Sequence, residues 1–522
     1  MKDRKAIAKS TDKCFIGYDL GTSGVKTVLI DSKGTLIASA FAAYRSSSLK
    51  PSYHEQSPED WWDAIVKTTR RVVRDSKIPR TKISGISFGV QAFGTIPVTK
   101  EGHALRPCMT WLDSRSTNEA NRINETMGIS ISAKDFPAKA LWIKENESDI
   151  FAKAHKIVDC DGYLIARYTG NFVCPGEIAY GMGFDPVKEQ WQFESFGITA
   201  DKLPEPVTTT TVVGEVTPAA AKQTGLRPAI PVVAGGSDFA SAVIGSGAIK
   251  PGRAHVYMGS SAWIAVATHT SPAAETDVGE AKGQGLVRQY ESAIFSGNFL
   301  DRWIIGGESE SACACLNWFE NELASDLDEK AKHAKTTPHQ MLDKMAEKVQ
   351  PGAGNLIFIP WMKGERAPVK DDFARGAFIG LALTHRRENL VRAIMEGVAL
   401  NMAWVLEQIQ IGNNLGFEVQ SLRAIGGGFK SRIWTQIFAD VMGRRIERVK
   451  WPDYAGAIGA ALFSSVGTGV YKHFDELDGL LPSTFEATPR NQYRDMYDQL
   501  LANYKRAYAR EIEKIYHEWG PV

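Results

Sequence analysis

The amino-acid sequence predicts an α/β protein built from two domains, and three observations support that prediction. The chain has 522 residues, whereas a single hydrophobic core stops growing at roughly 250–300 residues. Short β-like runs alternate with helix-like stretches along much of the chain, as they do in α/β folds. A pattern of strand, glycine-hydroxyl turn and strand opens the chain and recurs near its middle. The recurrence indicates an internal duplication, although two short hairpins can also match by chance.

The first domain is predicted to open with three antiparallel strands followed by a helix. The strands are separated by short glycine-containing turns, and they are Cys14–Leu20, Val25–Asp31 and Thr35–Tyr44. A helix is expected next, because Ser57 is a good N-cap residue and Pro58 suits the first helical position. Ile83–Val90 has the composition of the strand that follows.

The predicted domain boundary lies in the glycine-rich segment Gly245–Gly252. The predicted divisions are a polar tail over residues 1–12, an N-terminal domain over 13–247 and a C-terminal domain over 248–522. Directly after the boundary, Ala254–Met258 and Ala262–Ala267 repeat the opening hairpin in weaker form.

Composition and charge exclude several classes of function. Lys and Arg total 61 and Asp and Glu total 60, a formal charge of +1, so binding to nucleic acid or an anionic membrane is not expected. No signal peptide is visible, and no apolar run approaches the roughly 20 residues of a membrane span. A cytoplasmic protein with its six cysteines reduced is therefore expected. The oligomeric state stays open, with a homodimer as one alternative.

The first candidate site is the turn between the first two strands, within Asp19–Lys26. Gly21 allows tight backbone geometry, so that amide groups can point into the concave side of the turn. Thr22 and Ser23 add hydroxyl groups, Lys26 adds a positive charge, and Asp19 supplies a carboxylate for a metal shell. This inventory suits a magnesium-bound polyphosphate. A plain hairpin with polar turn residues is the alternative.

The second candidate is the turn Gly235–Asp238, between a β-like run and a predicted helix. A carboxylate at such a junction can act as a general base toward a hydroxyl group. Alternatively, Asp238 is simply the N-cap of the following helix.

The third candidate is the glycine-rich segment Gly426–Ser431, between a β-like run and a helix. Gly426, Gly427 and Gly428 allow close approach of a flat ligand such as adenine, and the helix start offers unpaired amide groups. A glycine-rich helix entry without a ligand is the alternative. Farther on, Gly456–Gly459 is expected to serve close helix packing.

The fourth candidate combines aromatic surface with polar and charged groups, as a sugar pocket does. Its members are Gln91, Phe93, Trp111, Asp113 and Arg115. The alternative is that Trp111 belongs to the core while Asp113 pairs with Arg115 at the surface.

Together these segments resemble the FGGY family of carbohydrate kinases over nearly the whole chain. Two stretches carry the resemblance most specifically, Gly376–Leu381 and, seven residues later, Asn389–Glu396. Gly364–Pro368 and Ala374–Gly376 also resemble family motifs. Lys139–Asn146 matches the core of the N-terminal family signature, although Phe136 stands where a small residue or proline is usual.

Within this family, the chain resembles the xylulokinase branch most closely. The resemblance implies two actin/hexokinase-like (ribonuclease H-like) domains with a central cleft for ATP and sugar. It implies that Asp238 is the catalytic base, and we expect Asp19 and Asp238 to hold a magnesium ion through water. It further implies that phosphates contact Gly21, Thr22, Ser23, Lys26, Gly259, Ser260 and Ser261, that Gly426, Gly427, Gly428 and Lys430 face the nucleotide, and that Gln91, Phe93, Trp111, Asp113 and Arg115 face the sugar.

One departure from the branch concerns the choice of sugar. Xylulokinases usually present Gln-Met-His-Gly here, whereas this chain reads Gln91-Ala92-Phe93-Gly94. Phe93 cannot make the hydrogen bonds of that histidine, which removes roughly 1–3 kcal/mol of preference for the matching hydroxyl. We therefore predict an ATP-dependent kinase acting on a primary hydroxyl of a small ketose or polyol. Ribulose, glycerol or tetritol kinases of the same family are alternatives, and an actin-like ATPase chaperone or a non-catalytic sugar sensor would belong to other classes.

Overall fold

The computed structural model describes residues 13–186, 188–268, 292–293, 303–371, 373–412 and 418–508. The predicted polar tail over residues 1–12 lies outside the described residues. The chain divides into two compact units: the first takes the described parts of Met1–Gly247 and Ser292–Asp301 together with Tyr454–Leu481, and the second takes the described parts of Ala248–Glu291, Arg302–Asp453 and Pro482–Val522.

A mixed β-sheet lies at the centre of the first unit. Its strands are β1 (Cys14–Leu20), β2 (Gly24–Asp31), β3 (Leu36–Ala43), β4 (Ile83–Val90), β5 (Val212–Glu215), β6 (Pro231–Val233) and β7 (Gly236–Ser237). The predicted antiparallel arrangement of β1, β2 and β3 is confirmed. Strands β4, β6 and β7 continue the sheet in parallel, and β5 pairs antiparallel with β6.

The second unit repeats this topology. Its strands are β8 (Arg253–Met258), β9 (Ala262–Thr268), β10 (Trp303–Ser309), β11 (Ser421–Ile425), β12 (Arg445–Val449) and β13 (Ser483–Ala487). The strand order β10-β9-β8-β11-β12-β13 matches β3-β2-β1-β4-β6-β5 of the first sheet. Each pair of neighbours has the same relative direction in both sheets. The predicted internal duplication is therefore confirmed by topology.

Helices cover the sheets of both units. Those of the first unit are α1 (Pro58–Ser76), α2 (Thr117–Met127), α3 (Phe136–Asn146), α4 (Ser148–Lys153), α5 (Cys160–Thr169), α6 (Gly176–Gly181), α7 (Pro218–Thr224), α8 (Asp238–Ser246) and α14 (Ala455–Gly467). Those of the second unit are α9 (Cys313–Leu323), α10 (Asp326–His333), α11 (Pro338–Glu347), α12 (Arg387–Gly412), α13 (Arg432–Met442) and α15 (Arg494–Ala507).

Shorter strands complete the described secondary structure. They are Ser46–Ser47, Glu55–Gln56, Ile96–Val98, Cys108–Met109, Lys156–Val158, Val173–Pro175, Phe184–Asp185, Gln190–Trp191, Glu205–Val207, Ser292–Ala293, Ile357–Ile359 and Ala377–Ile379. No helix among the described residues is both long and apolar enough to cross a membrane.

Local signals account for the first helix. The side chain of Ser57 accepts a hydrogen bond from the backbone N–H of Asp60, and Pro58 occupies the first turn, as predicted. Trp61 and Ile65, one turn apart, are fully buried. Helix α1 therefore packs its apolar side on β2 and β3.

Helix α14 belongs to the first unit by its packing, although it lies far along the chain. It contacts α8 and strands β1 and β4. The approach to α8 is close, since a Cβ atom on Gly459 would lie 1.8 Å from the carbonyl oxygen of Ser241. The expected packing role of Gly459 is confirmed. The sequence predicts that this segment is part of the C-terminal domain, whereas the structure places it on the first sheet. That placement depends on long-range contacts, which a single sequence does not show.

Candidate active site

Three predicted functional segments meet at one edge of the first sheet. In the parallel ladders, Leu20 of β1 and Ser237 of β7 both pair with Val90 of β4. The chain leaves this edge as the Gly21 turn after β1, as Gln91 after β4 and as Asp238 after β7. Because neighbouring strands lie about 4.8 Å apart, these segments are close neighbours.

Asp238 begins helix α8, but it is not the N-cap. The N-cap is Ser237, whose hydroxyl oxygen accepts a hydrogen bond of 3.1 Å from the backbone N–H of Ala240. The alternative that Asp238 merely caps the helix is therefore wrong. Its carboxylate is half-buried in the first turn, where the helix dipole favours negative charge.

Asp19 lies two residues before the first turn. Its carboxylate is 3.6 Å from the ammonium group of Lys26, its partner across the hairpin. On its other side, a Cβ atom on Gly456 would come within 3.0 Å of an oxygen of Asp19. Gly456 thus allows α14 to pack closely against Asp19 of β1, in agreement with the packing role expected from the sequence. Asp19 and Lys26 form the charged pair beside the turn.

The turn itself is held from outside by three side chains. Gln56 Nε2 donates a 2.6 Å hydrogen bond to the carbonyl oxygen of Thr22, and Trp111 Nε1 donates a 3.0 Å bond to the Thr22 hydroxyl. The hydroxyl of Tyr44 donates to the carbonyl oxygen of Gly21. Trp111 is half-buried, so it is neither wholly a core residue nor an isolated surface ring.

Gln91 is linked to the same turn through Gln56. The Nε2 group of Gln91 donates to Gln56 Oε1 over 2.8 Å, and Gln56 contacts Thr22 as described. Oε1 of Gln91 is buried without a hydrogen-bond partner among the described residues. Gln56 is not among the residues predicted from the sequence, although its position just before the N-cap of α1 is a usable signal.

Asp113 and Arg115 pair with each other, but not at the surface. Their side chains are 0% and 3% exposed, with 2.6 Å between Arg115 Nη2 and Asp113 Oδ2. Arg115 also lies 2.7 Å from Glu55 and stacks on the ring of Tyr53 at 3.6 Å. The surface alternative fails because Glu55 and Tyr53, distant in sequence, cover the pair. Arg106 pairs with Glu55 at 2.6 Å.

Phe93 has a backbone conformation that is unusual for an aromatic residue, with φ of 63°. Asp159 accepts the backbone N–H groups of Phe93 and Gly94 over 2.8 and 2.7 Å. The ammonium group of Lys139 donates to the Phe93 carbonyl oxygen. The Phe93 ring lies over Gly181 of α6, where a Cβ atom would be 3.0 Å from the ring. Neither Lys139 nor Asp159 was assigned a role from the sequence.

The second unit places its two predicted turns side by side. Tyr257 of β8 pairs with Ile425 of β11, so the segments after these strands leave the sheet at the same edge. Gly426 has φ of 94°, and a Cβ atom there would lie 2.4 Å from the carbonyl oxygen of Met258. Only glycine fits this contact. The turn Gly259–Ser261 follows Met258 directly.

Backbone hydrogen bonds and an N-cap hold these turns. Ser260 accepts from the backbone N–H of Ala312 over 2.7 Å. Ser431 is the N-cap of α13, as its hydroxyl accepts from the N–H of Trp434 over 3.1 Å. Lys430 is exposed and lies 2.5 Å from Asp453. The predicted nucleotide segment thus enters α13 through a capped turn.

The motif residues of the second unit act mainly in packing. Arg392 and Glu396 form a buried ion pair of 2.7 Å on α12, and Tyr497 donates to the same carboxylate over 2.8 Å. Burial raises the pKa of Glu365 to about 8, and its carboxyl group accepts from the Ser309 hydroxyl over 2.7 Å. These contacts give the motif residues a role in the packing of the second unit.

Two duplicated sheets of this order, each with a glycine-hydroxyl turn between its first two strands, define the actin/hexokinase-like class of fold. Residues 14–245 match the N-terminal domain of the FGGY family of carbohydrate kinases, and residues 256–468 match its C-terminal domain. The chain belongs to the FGGY family. It is therefore a phosphotransferase with a hydroxyl group as acceptor, as predicted.

Named relatives agree with the family assignment, and solved structures share the fold. The chain is 29% identical to a gluconokinase of Bacillus subtilis over 93% of this chain and 94% of the relative. It is 28% identical to a xylulose kinase of the same organism over 95% and 97%. A ligand-bound xylulose kinase from Lactobacillus acidophilus shares the fold with a TM-score of 0.82 at 23% identity, covering 96% of this chain and all of that one. A Plasmodium falciparum glycerol kinase with ADP gives 0.78 at 19%, covering 95% and 98%.

Proposed function

We propose that the chain transfers the γ-phosphoryl group of ATP to a primary hydroxyl of a small, uncharged ketose or polyol. The observation that carries the proposal is the position of Asp238 at the sheet edge. Asp238 directly follows β7, which pairs with β4, the strand that ends next to Gln91. The Gly21 turn follows β1, which pairs with β4 on its other side. Helix α8 is capped by Ser237, so the Asp238 carboxylate does not serve as the N-cap.

In the proposed reaction, Asp238 orients the acceptor hydroxyl and accepts its proton as the oxygen attacks the γ-phosphorus. A bond from phosphorus to the acceptor oxygen forms, the bond to the β-γ bridging oxygen breaks, and ADP leaves. Lys26 and the amide groups of the Gly21–Ser23 turn stabilise the charge that develops on the phosphate oxygens. In the second unit, Gly259–Ser261 and Gly426–Lys430 bind the nucleotide.

Asp19 and Asp238 fit the requirements of a magnesium ion held mainly by phosphates and water. No group of three or more His, Cys, Asp or Glu side chains suited to a metal occurs in the part of the chain that the structure describes. Mg²⁺ typically takes one or two carboxylates together with substrate phosphates and water. When bound, it would offset the negative charge of the phosphates.

The charges around the acceptor residues favour an uncharged acceptor. Arg115 pairs with Asp113 and Glu55, and Arg106 pairs with Glu55 and Glu147. Both guanidinium groups are thus already neutralised by carboxylates, so neither is poised to bind a substrate carboxylate. Phe93 contributes apolar surface where a polar side chain would select one hydroxyl.

A sugar acid is the second candidate acceptor. The gluconokinase of Bacillus subtilis is 29% identical over 93% of this chain, which favours an acceptor of this class. The two candidates differ in one property, the negative charge of the acceptor.

A panel of acceptors separates these candidates. It contains pentuloses, hexuloses, tetritols, glycerol and gluconate, with both ADP release and phosphorylated product measured for each. An uncharged ketose or polyol is expected to give the highest kcat/KM. A preference for gluconate would favour the second candidate, and ADP release without phosphorylated product would contradict the kinase proposal in both forms.

We expect Phe93→His to shift the preference of the enzyme toward D-xylulose. Histidine tolerates the positive φ at this position better than phenylalanine does, and it is smaller than the ring that Gly181 accommodates. A restored hydrogen bond is expected to raise kcat/KM for D-xylulose, relative to the acceptor that the wild type prefers, by roughly 10-fold or more. An unchanged ratio would show that Phe93 does not determine acceptor choice.

A further inference from the structure

A buried glutamate lies directly against the backbone that leads into Asp238. The carboxyl group of Glu177, on α6, accepts a hydrogen bond from the backbone N–H of Ser237. A Cβ atom on Gly236 would lie 2.2 Å from Oε1 of Glu177. Glu177 is only 7% exposed. Its carboxyl group therefore fills the space beside Gly236 and Ser237.

Within the described part of the chain, three kinds of interaction hold the segment Gly236–Ser237. Gly236 and Ser237 pair with Gly89 and Val90 of β4, and the Ser237 hydroxyl caps α8. Glu177 provides the third. Of these three interactions, the contact with Glu177 is the one whose charge depends on pH. Glu177 holds Ser237, which directly precedes Asp238.

The surroundings of Glu177 resist its ionisation. Burial raises the pKa of Glu177 to about 7, while its hydrogen bonds with Ser237 act in the opposite direction. Its second oxygen, Oε2, is buried without a hydrogen-bond partner among the described residues. Asp161 of α5 lies within electrostatic reach, and burial followed by the charge of Asp159 raises the pKa of Asp161. The other titratable side chains on described elements that pack against α6 are Cys174, Asp185 and Glu205. Asp238 lies next to these elements, at the start of α8.

The raised pKa has a consequence for stability. In the unfolded chain this carboxyl group loses its proton near pH 4.5, whereas the folded protein keeps it until about pH 7. Between these values the folded state binds the extra proton, so the free energy of unfolding decreases as the pH rises from 4.5 to 7. The ionised form thus carries a stability cost, which is typical of groups retained for activity.

We propose that Glu177 is a positioning residue, whose ionised carboxylate holds the Ser237 N–H and thereby fixes Asp238 in the geometry for proton transfer. A hydrogen bond to a charged acceptor is roughly twice as strong as one to a neutral acceptor. Protonation of Glu177 weakens this contact and loosens the segment before Asp238. The proposal rests on the proposed role of Asp238 as the general base.

Kinetics across pH 5.5–9 test the proposal with Glu177→Gln, which keeps the shape and removes the charge. In the wild type, kcat is expected to rise through about pH 7. In Glu177→Gln, we expect kcat at pH 8 to be roughly 10-fold lower, KM for the acceptor to stay within about twofold, and the step in kcat near pH 7 to disappear. The decrease in Tm of the wild type between pH 5 and 7 should also be smaller in the variant.

The matched control is Glu205→Gln, at an exposed glutamate on a strand that packs against α6. This variant should behave as the wild type.

Two further variants separate the possible failures. If Asp238→Asn keeps its activity, the proposed role of Asp238 as the general base fails whatever Glu177 does. If Asp238→Asn is inactive but Glu177→Gln keeps the kcat and pH profile of the wild type, the positioning role of Glu177 is overturned and the proposed role of Asp238 stands. A loss of kcat with a lower Tm and an unchanged pH profile also overturns it, since only packing would then be lost. Glu177→Asp keeps the charge on a shorter side chain, and it should keep the step in pH while losing kcat.

Discussion

Asp238→Asn is expected to lower kcat by about 10²–10⁴-fold, which is the usual contribution of a positioned general base. The acceptor KM and the stability should change little, because Ser237 rather than Asp238 caps α8. Loss of one charge in the first turn of a helix costs only about 0.3–1 kcal/mol. Acceptor-dependent ADP release and product formation measure the effect on kcat, and thermal unfolding measures the effect on stability.

Asp60→Asn is the matched control for this experiment. Asp60 is an exposed carboxylate in the first turn of α1, which is also capped by a serine, Ser57. The same loss of charge at the start of a helix should leave kcat unchanged there. Near-normal product formation by Asp238→Asn would contradict the assignment of Asp238 as the base.

Local rules predicted the sheets and their turns well. The strands Cys14–Leu20 and Ile83–Val90 have the bounds that their apolar patterns and flanking turns indicate. The start of α1 followed from Ser57 and Pro58. Such features depend on residues within a few positions of each other, so they are visible in one sequence. The predicted turn over Gly235–Asp238 was less accurate, since Gly236 and Ser237 extend the sheet as β7.

Long-range contacts could not be predicted in this way. Glu177 lies 60 positions before Ser237, and Asp159 lies 66 positions after Phe93. Neither carboxylate belongs to a spacing motif, so nothing in the sequence marked either one as a neighbour of the site. Asp113 and Arg115 were correctly paired by their spacing. Their burial was not predictable, because it depends on Glu55 and Tyr53.

The second large effect is expected from Lys139→Met, because Lys139 is a fully buried cation. Its ammonium group donates to the carbonyl oxygens of Phe93 and, over 3.0 Å, of Thr110. Burial lowers the pKa of Lys139, and burial raises that of Asp159 to about 6. The substitution removes a donor from the Phe93 carbonyl oxygen, leaves the Thr110 carbonyl oxygen with the backbone N–H of Asp113, and takes the nearby positive charge away from Asp159.

We expect Lys139→Met to lower the free energy of unfolding by about 3–5 kcal/mol, as removal of one partner of a buried charged network usually does. The acceptor KM should rise by roughly 10-fold or more, because Lys139 holds the backbone of Phe93 in its unusual conformation and the carbonyl group next to Trp111. Chemical denaturation and acceptor kinetics measure the two effects.

Lys153→Met, at an exposed lysine on the neighbouring helix α4, is the control and should change neither the free energy of unfolding nor the acceptor KM. A variant that unfolds as the wild type does but binds its acceptor more weakly would show that Lys139 acts on the Phe93 loop and contributes little to the core. Unchanged values of both would show that Asp159 and the packing of the ring on Gly181 suffice to hold Phe93.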